Sequence, residues 1–160
     1  MKNKKNKEIE FKFLVTSDEW RKGARGTAYH QGYLSTDPDR VVRVRLEGEI
    51  GKLTVKGKRV GPEAAEFEYE IPAADAEFLL ENLCIKPVIE KTRYKINFAG
   101  NLWEVDEFHG INKGLILAEI EVESKDQEFQ KPEWIGEDVT KDPRYRNANL
   151  VANPYSKWGI

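Results

Sequence analysis

The chain has 160 residues and a mass of 18.5 kDa, the size of one domain with a substantial core. Charged residues make up 34% of it, yet 26 basic and 28 acidic side chains leave a net charge of only −2. This balance argues against non-specific binding of nucleic acid or anionic membranes, which needs a basic excess. The single cysteine, Cys84, excludes an internal disulfide and lies in an apolar run typical of a core. We expect neither a secretory signal nor a membrane span, and therefore a cytoplasmic protein.

Alternating apolar and polar residues predict eight β-strands, at residues 8–15, 27–35, 40–47, 51–58, 65–71, 88–98, 101–108 and 114–123. Residues 1–7, which are rich in lysine, predict a flexible terminus. The connections between strands two to five, and between strands six to eight, are too short for parallel crossovers. These strands are therefore predicted to be antiparallel.

Helical signals are fewer. Residues 74–83 carry apolar side chains at helical spacing, and Pro87 prevents the helix from continuing. Two capping boxes, one in residues 16–19 and one in residues 124–127, predict shorter helices after the first and last strands. The proline-containing tail allows only brief helices, such as one near residues 147–152.

The charges fall on alternate residues of the strands. In the first strand Glu8, Glu10 and Lys12 share one face, because side chains alternate across a strand. An ordinary sheet with one face in water would give this pattern. A closed barrel would also give it, with the charges in the lumen and apolar residues such as Ile9 and Val55 facing outward beneath helices. We predict the second: an α+β fold with a closed eight-stranded antiparallel β-barrel, or tunnel, and peripheral helices.

The sequence excludes several kinds of chemistry. His30 and His109 have no zinc-ligand spacing, and the chain has no phosphate loop, dinucleotide fingerprint or nucleophile elbow. Carboxylates and cations remain, and together they suit Mg²⁺ or Mn²⁺ with phosphate groups. Three interpretations stay open on this basis: a metal–phosphate site, structural salt bridges inside a barrel, and a charged surface without a site.

Seven charged motifs follow one another along nearly the whole chain. They are Glu8-x-Glu10-x-Lys12, Arg43-x-Arg45, Leu-Thr-Val-Lys56-Gly, Glu68-Tyr-Glu70, Lys91-Thr-Arg93-Tyr94, Glu104-x-Asp106 and Glu119-x-Glu121. In this order they resemble the signature of the CYTH superfamily, also called the triphosphate tunnel metalloenzymes, as a single domain over residues 1–160. One such motif is weak evidence, but seven in the same order are specific. The likeness is greatest to the short bacterial inorganic tripolyphosphatases.

The resemblance implies a role for each set. The metal ligands would be Glu8, Glu10, Asp106, Glu119 and Glu121. Phosphate would be held by Lys12, Arg43, Arg45, Lys56, Lys91 and Arg93. Glu68 and Glu70 would orient the cations or hold a second metal ion. Tyr33, in the context Gln31-Gly32-Tyr33-Leu34, would act with Lys12 to position or activate water.

The resemblance also implies an activity. We expect a hydrolase that uses Mg²⁺ or Mn²⁺ to cleave inorganic tripolyphosphate into pyrophosphate and phosphate. The alternatives are a class IV adenylyl cyclase, a thiamine triphosphatase and a non-catalytic polyphosphate-binding module. The expected partner is a small-molecule triphosphate, with no nucleic acid and no membrane, and a homodimer is compatible with the family. Charges that extend the alternation beyond the motifs are expected to be supporting or surface groups: Lys58, Arg59, Glu66, Lys95 and Glu123.

Overall fold

The structure is a computed structural model that describes residues 6–159. Within these residues it contains nine strands, one α-helix and several single-turn 3₁₀ helices. The α-helix, α1, runs over Ala73–Asn82. The strands are β1 Lys7–Val15, β2 Gly26–Ser35, β3 Arg40–Glu47, β4 Ile50–Gly57, β5 Glu63–Ile71, β6 Ile85–Phe98, β7 Asn101–Phe108, β8 Ile116–Val122 and β9 Ile135–Asp138.

Eight of the strands form a closed antiparallel barrel, which confirms the predicted fold class. Their order is β5-β4-β3-β2-β6-β7-β8-β1, and β1 closes the sheet by pairing with β5 from Lys7 to Ile9. The first strand therefore begins inside the segment predicted to be flexible, of which residues 1–5 lie outside the described residues. The ninth strand was not predicted from the sequence. It pairs with the far end of the same edge of β1, at Phe13 and Val15.

Strand register brings the inward-facing charges into rows across the sheet. Arg43 lies opposite Thr54, which in turn lies opposite Glu68. On the other side of the barrel Arg93 is opposite Asp106, and further rows pair Lys12 with Glu119 and Glu10 with Glu121. Residues directly opposite on one face are close enough to interact. Closure of the barrel thus places these pairs inside the lumen.

The largest apolar core lies outside the barrel. Outward-facing side chains of β1, β7 and β8, among them Phe13, Trp103 and Ile120, pack with Trp20 and Trp134 from the connecting segments. Burying large aromatic side chains contributes strongly to stability. A second outer cluster joins α1 to β3 and β4, and it includes the buried Cys84, as expected from its apolar run.

The outer face of the barrel is covered by fewer helices than the sequence predicted. The segment after β8 forms a turn, although its capping residues do bond the backbone: Ser124 Oγ accepts from the Asp126 amide, and Gln127 Oε1 from that of Glu123. The outer face of β4 and β5 is largely uncovered, because α1 reaches only part of it. Val55, Phe67 and Tyr69 are 37%, 40% and 57% exposed.

The tail closes one end of the barrel. Two 3₁₀ helices, Pro143–Tyr145 and Asn147–Leu150, bring Tyr145 and Leu150 against inward-facing apolar residues that include Ile89, Phe108 and Leu117. The lumen is therefore apolar and filled at this end, and charged along the rest of its length. Among residues 6–159 the single α-helix has ten residues, which is too few to cross a membrane.

Candidate active site

A cavity of about 250 Å³ lies inside the barrel and receives side chains from all eight barrel strands and from the tail. Ten lysines and arginines and eight glutamates line it, so the charges of its walls nearly balance. Two residues of the predicted site do not line it, Glu70 and Asp106. The predicted residues that do are Glu8, Glu10, Lys12, Tyr33, Arg43, Arg45, Lys56, Glu68, Lys91, Arg93, Glu119 and Glu121.

One side of the cavity is a buried group of cations, here called the cation wall: Arg43, Arg45, Lys91 and Arg93. The ring of Tyr29 lies between two of them, 5.0 Å from the guanidinium carbon of Arg45 and 5.0 Å from that of Arg93. Cation–π contact of this kind stabilises buried guanidinium groups. Burial, together with the positive charges of Arg43 and Arg93, lowers the pKa of Arg45. Cations crowded in this way favour a bound anion.

Asp106 is buried behind the cation wall, and both of its carboxylate oxygens contact cations of this wall. Its Oδ1 accepts from Arg93 Nε at 2.7 Å, and its Oδ2 accepts from Arg93 Nη2 at 2.8 Å. Lys91 Nζ lies 2.9 Å from Oδ2. Burial opposes ionisation, but Arg93 and Lys91 hold the pKa of Asp106 well below its usual range. The structure therefore places Asp106 as the partner of two phosphate-binding candidates, away from the cavity surface where a metal ion would bind.

The neighbours of Lys91 also affect its charge. Burial lowers the pKa of Lys91 to about 7, although Asp106 acts in the opposite direction. Its ammonium group also donates to Oδ1 of Asn147 in the tail, at 2.9 Å. An incoming phosphate would favour the charged form, because a nearby negative charge raises the pKa of an amine.

A second group in the cavity, the acidic wall, consists of Glu10, Glu104, Glu119 and Glu121. It adjoins the cation wall at Arg93, which lies 3.3 Å from Glu104 and 3.2 Å from Glu119. Glu10 lies directly opposite Glu121, and Glu119 directly opposite Glu104. Like charges in such positions are destabilising. Burial and the charges of Glu119 and Glu8 raise the pKa of Glu10 to about 8. A cation bound between these carboxylates would relieve the repulsion.

The donor atoms of the acidic wall fit a hard divalent ion. Mg²⁺ and Mn²⁺ prefer oxygen ligands, and Mg²⁺ commonly takes one or two carboxylates together with substrate phosphates and water. Over residues 6–159, no three histidine, cysteine, aspartate or glutamate side chains are grouped closely enough to hold an ion by themselves. A divalent ion would therefore need oxygen atoms from a bound phosphate to complete its coordination.

Glu8 occupies a different position from the other predicted ligands. It accepts a hydrogen bond from Lys56 Nζ at 2.9 Å and another from Arg59 Nη2. Glu68 likewise accepts from the hydroxyl of Thr54 at 3.2 Å and lies 3.5 Å from Arg43. Both glutamates thus contact cations at the cavity surface. Glu70 is exposed and lies away from the cavity.

Lys12 and Tyr33 both line the cavity but have different partners. Lys12 Nζ donates to the Tyr145 carbonyl at 3.0 Å and lies 3.5 Å from Glu119. The Tyr33 hydroxyl is buried and accepts a hydrogen bond from Gln31 Nε2 at 2.9 Å. In this arrangement the Lys12 ammonium is held by the tail, and the Tyr33 hydroxyl by its own strand.

Several residues of the site were missed from the sequence. Gln31 is completely buried and accepts from Arg45 Nε at 2.9 Å, while its amide group donates to Asn147 at 3.0 Å. Its inward position between Tyr29 and Tyr33 was readable from the strand alternation. Asn147 was not readable in this way, because it lies outside the strands. Arg59, expected to be a supporting or surface charge, bonds Glu8 at the cavity.

A closed antiparallel barrel whose lumen holds a cation wall beside an acidic wall defines a class of tunnel proteins suited to an anion that carries a metal ion. The chain belongs to the CYTH domain family, whose model matches residues 6–155.

Named relatives in this family are closely similar. An inorganic triphosphatase from Acetivibrio thermocellus is 54% identical over 152 residues, which cover 95% of this chain and 97% of the relative. An inorganic triphosphatase from Nitrosomonas europaea is 38% identical and covers 90% of this chain and 96% of the relative. A solved structure described as an inorganic triphosphatase shares 36% identity at a TM-score of 0.64, covering 92% of this chain and 96% of the other.

Solved structures with adenylate or adenylyl cyclase in their names are more distant. Three of them share 14–16% identity with this chain, at TM-scores of 0.53–0.58. At this level of identity the likeness shows the fold alone.

Proposed function

We propose that the protein is a metal-dependent hydrolase of linear triphosphates that cleaves inorganic tripolyphosphate into pyrophosphate and phosphate. One observation carries the proposal: a cation wall and an acidic wall line the same cavity of about 250 Å³ inside the barrel. Cations alone would suit any anion, but the acidic wall suits an anion that arrives with a divalent ion. The names of the relatives support the same substrate class.

The cation wall would bind the phosphate chain. Arg43, Arg45 and Arg93 can each present a planar fork to phosphate oxygens, whereas Lys91 offers a single charge. Because Glu68 and Asp106 already orient Arg43 and Arg93, little side-chain freedom would be lost on binding. Lys56 and Lys12 would extend the contact along the lumen.

Mg²⁺ or Mn²⁺ would be held by Glu10, Glu119 and Glu121, where it would neutralise negative charge on phosphate oxygens. Glu8 was also predicted to be a metal ligand. Its bonds to Lys56 and Arg59 favour a supporting role beside the three metal-binding glutamates. Either ion would suit these carboxylate oxygens.

Hydrolysis would require water to add to the terminal phosphorus as the bridging P–O bond breaks and pyrophosphate leaves. The arginines would stabilise the charge that develops on the phosphate oxygens, a contribution of about 2.7–4 kcal/mol for one comparable donor. Lys12 and Tyr33, which both line the cavity, would position the attacking water. The apolar end of the lumen is filled by Tyr145 and Leu150, so a nucleobase could not lie there.

The proposal is tested by product analysis. Tripolyphosphate, ATP and thiamine triphosphate would each be incubated with the protein and Mg²⁺ or Mn²⁺. We expect orthophosphate and pyrophosphate from tripolyphosphate, at much higher efficiency than from either organic substrate, and no cyclic AMP. Cyclic AMP as the main product from ATP would instead identify a cyclase. Preference for thiamine triphosphate would identify a thiamine triphosphatase, and binding without turnover a binding module.

We also propose that the protein acts in the cytoplasm. Its partner would be a small-molecule substrate, without nucleic acid or membrane partners. The homodimer that the family allows is open to a measurement of mass in solution.

A further inference from the structure

A second, wider cavity borders the tunnel where β1 begins. Its volume is about 910 Å³, and Ala64 and Arg146 line both cavities. We call it the basic vestibule, because five cations and a single carboxylate line it, a net charge of +4. The charged residues are Lys7, Lys58, Lys125, Lys141, Arg146 and Glu63.

Three lysines of the vestibule differ from cations of the tunnel such as Lys91 in forming no ion pair within residues 6–159. They are Lys58, Lys125 and Lys141, and all three are exposed. Tunnel cations such as Lys91 and Arg93 are matched by buried carboxylates. The vestibule is therefore a place of uncompensated positive charge on a chain whose net charge is −2.

Arg146 connects the two cavities. Its Nε atom is buried and has no hydrogen-bond partner, which is uncommon in folded proteins. Burial, together with the nearby charge of Arg59, lowers the pKa of Arg146. An anion at the junction would satisfy this donor and offset the repulsion between the two guanidinium groups.

We propose that the basic vestibule is the entrance through which the polyanionic substrate reaches the tunnel, and that its lysines speed this association. The inference rests on the proposed function, because it takes a linear triphosphate as the anion. A net-negative protein repels a polyanion at long range, and a cleft lined with one sign of charge can raise association rates by about 10- to 1,000-fold. The vestibule supplies such a cleft beside the tunnel, which it meets at Ala64 and Arg146.

The test compares two triple variants of equal charge change. Lys58→Gln, Lys125→Gln and Lys141→Gln together lower the net charge of the vestibule from +4 to +1 without altering the tunnel. Lys22→Gln, Lys113→Gln and Lys157→Gln make the same change at exposed lysines that line neither cavity. The kcat and kcat/KM values for tripolyphosphate would be measured at about 0.01 M and about 0.3 M ionic strength, where charges are screened weakly and strongly.

We expect the vestibule variant to lose about tenfold in kcat/KM at low salt, with kcat unchanged and the loss largely gone at high salt. The control variant should stay within about twofold of the wild type. Equal losses in both variants would overturn the inference in favour of a net-charge effect. An unchanged kcat/KM in the vestibule variant would also overturn the inference. If pyrophosphate then inhibited this variant more weakly than the wild type, the vestibule would be assigned to product release.

Failure of the proposed function is distinguishable from failure of this inference. If the wild type does not hydrolyse tripolyphosphate, the proposed function fails. The association rate constant of tripolyphosphate, followed by stopped-flow tryptophan fluorescence in the same variants, then tests the vestibule without turnover. A rate constant equal in the two triple variants would overturn it.

Discussion

Replacing Asp106 by asparagine would remove the buried negative charge that Lys91 and Arg93 share. In the variant the asparagine oxygen could still accept from Arg93 Nε. The amide nitrogen would replace Oδ2, which accepts from Arg93 Nη2 at 2.8 Å in the wild type, so two hydrogen-bond donors would face each other. Two buried cations would lose their common counter-ion. We therefore expect the variant to be less stable and less active, while its requirement for the divalent ion stays close to that of the wild type.

The magnitude follows from the contacts. Removing one partner of a buried ion pair destabilises by about 3–5 kcal/mol. Glu119 lies 3.2 Å from Arg93 and would compensate in part, so we expect a loss of about 3–4 kcal/mol in the free energy of unfolding. For a chain of this size the melting temperature should fall by roughly 6–16 °C. A total stability of about 5–15 kcal/mol would still leave about 1 kcal/mol or more, so the variant stays folded.

Thermal unfolding and a Mg²⁺ titration of activity would measure both effects. Glu107→Gln is the matched control, because Glu107 is the next residue and also holds an arginine, Arg21, through two hydrogen bonds of 3.0 and 2.9 Å. That pair is solvent-accessible, so its loss should cost about 1 kcal/mol or less. An Asp106→Asn variant of wild-type stability that needs more Mg²⁺ would refute the pairing argument and make Asp106 a metal ligand.

Four further outcomes are expected. Glu10→Gln should abolish turnover yet preserve the melting temperature, because the raised pKa of Glu10 already favours a neutral side chain without a metal ion; unfolding of this variant would contradict the assignment. Arg45→Ala should lower kcat/KM by an amount equivalent to about 2–4 kcal/mol, and unchanged kinetics would count against a phosphate-lined tunnel. Tyr33→Phe should reduce kcat more than it raises KM, whereas the reverse would indicate a binding role. Gly32→Ala should destabilise by about 1–3 kcal/mol in thermal unfolding, since its Cβ would lie 2.8 Å from that of Cys84; wild-type stability would show that α1 can shift.

The barrel was predictable because its signal is local. Strand alternation has a period of two, so charges on every second residue indicate both the strand and the face that they share. The strand β9 gave no such signal, because Ile135–Asp138 is too short to alternate and is held by the spare edge of β1. A pairing of this kind depends on which edge the rest of the fold leaves open.

The residues of the site were largely predictable from the sequence, but the ion pairs and hydrogen bonds between them were not. Alternation placed Asp106 on the inner face with Glu119, yet the sequence does not reveal that Arg93 and Lys91 occupy both of its oxygens. Asn147 depends on how the tail folds back, and Arg59 lies in the turn after β4. Neither position is fixed by a repeating pattern, so tertiary contacts alone assign them to the site.

The central place of β1 in the barrel has a consequence for synthesis on the ribosome. Lys7 pairs with Ala65, and Glu10 pairs with Glu121, more than one hundred residues later. The edge of nascent β1 that pairs with β8 must therefore stay open, with the apolar Phe11 and Phe13 exposed, until β8 has been translated. Open strand edges invite pairing with other chains, and charged residues discourage it. The carboxylates and the lysine that later line the lumen thus also protect this strand from aggregation before the barrel closes.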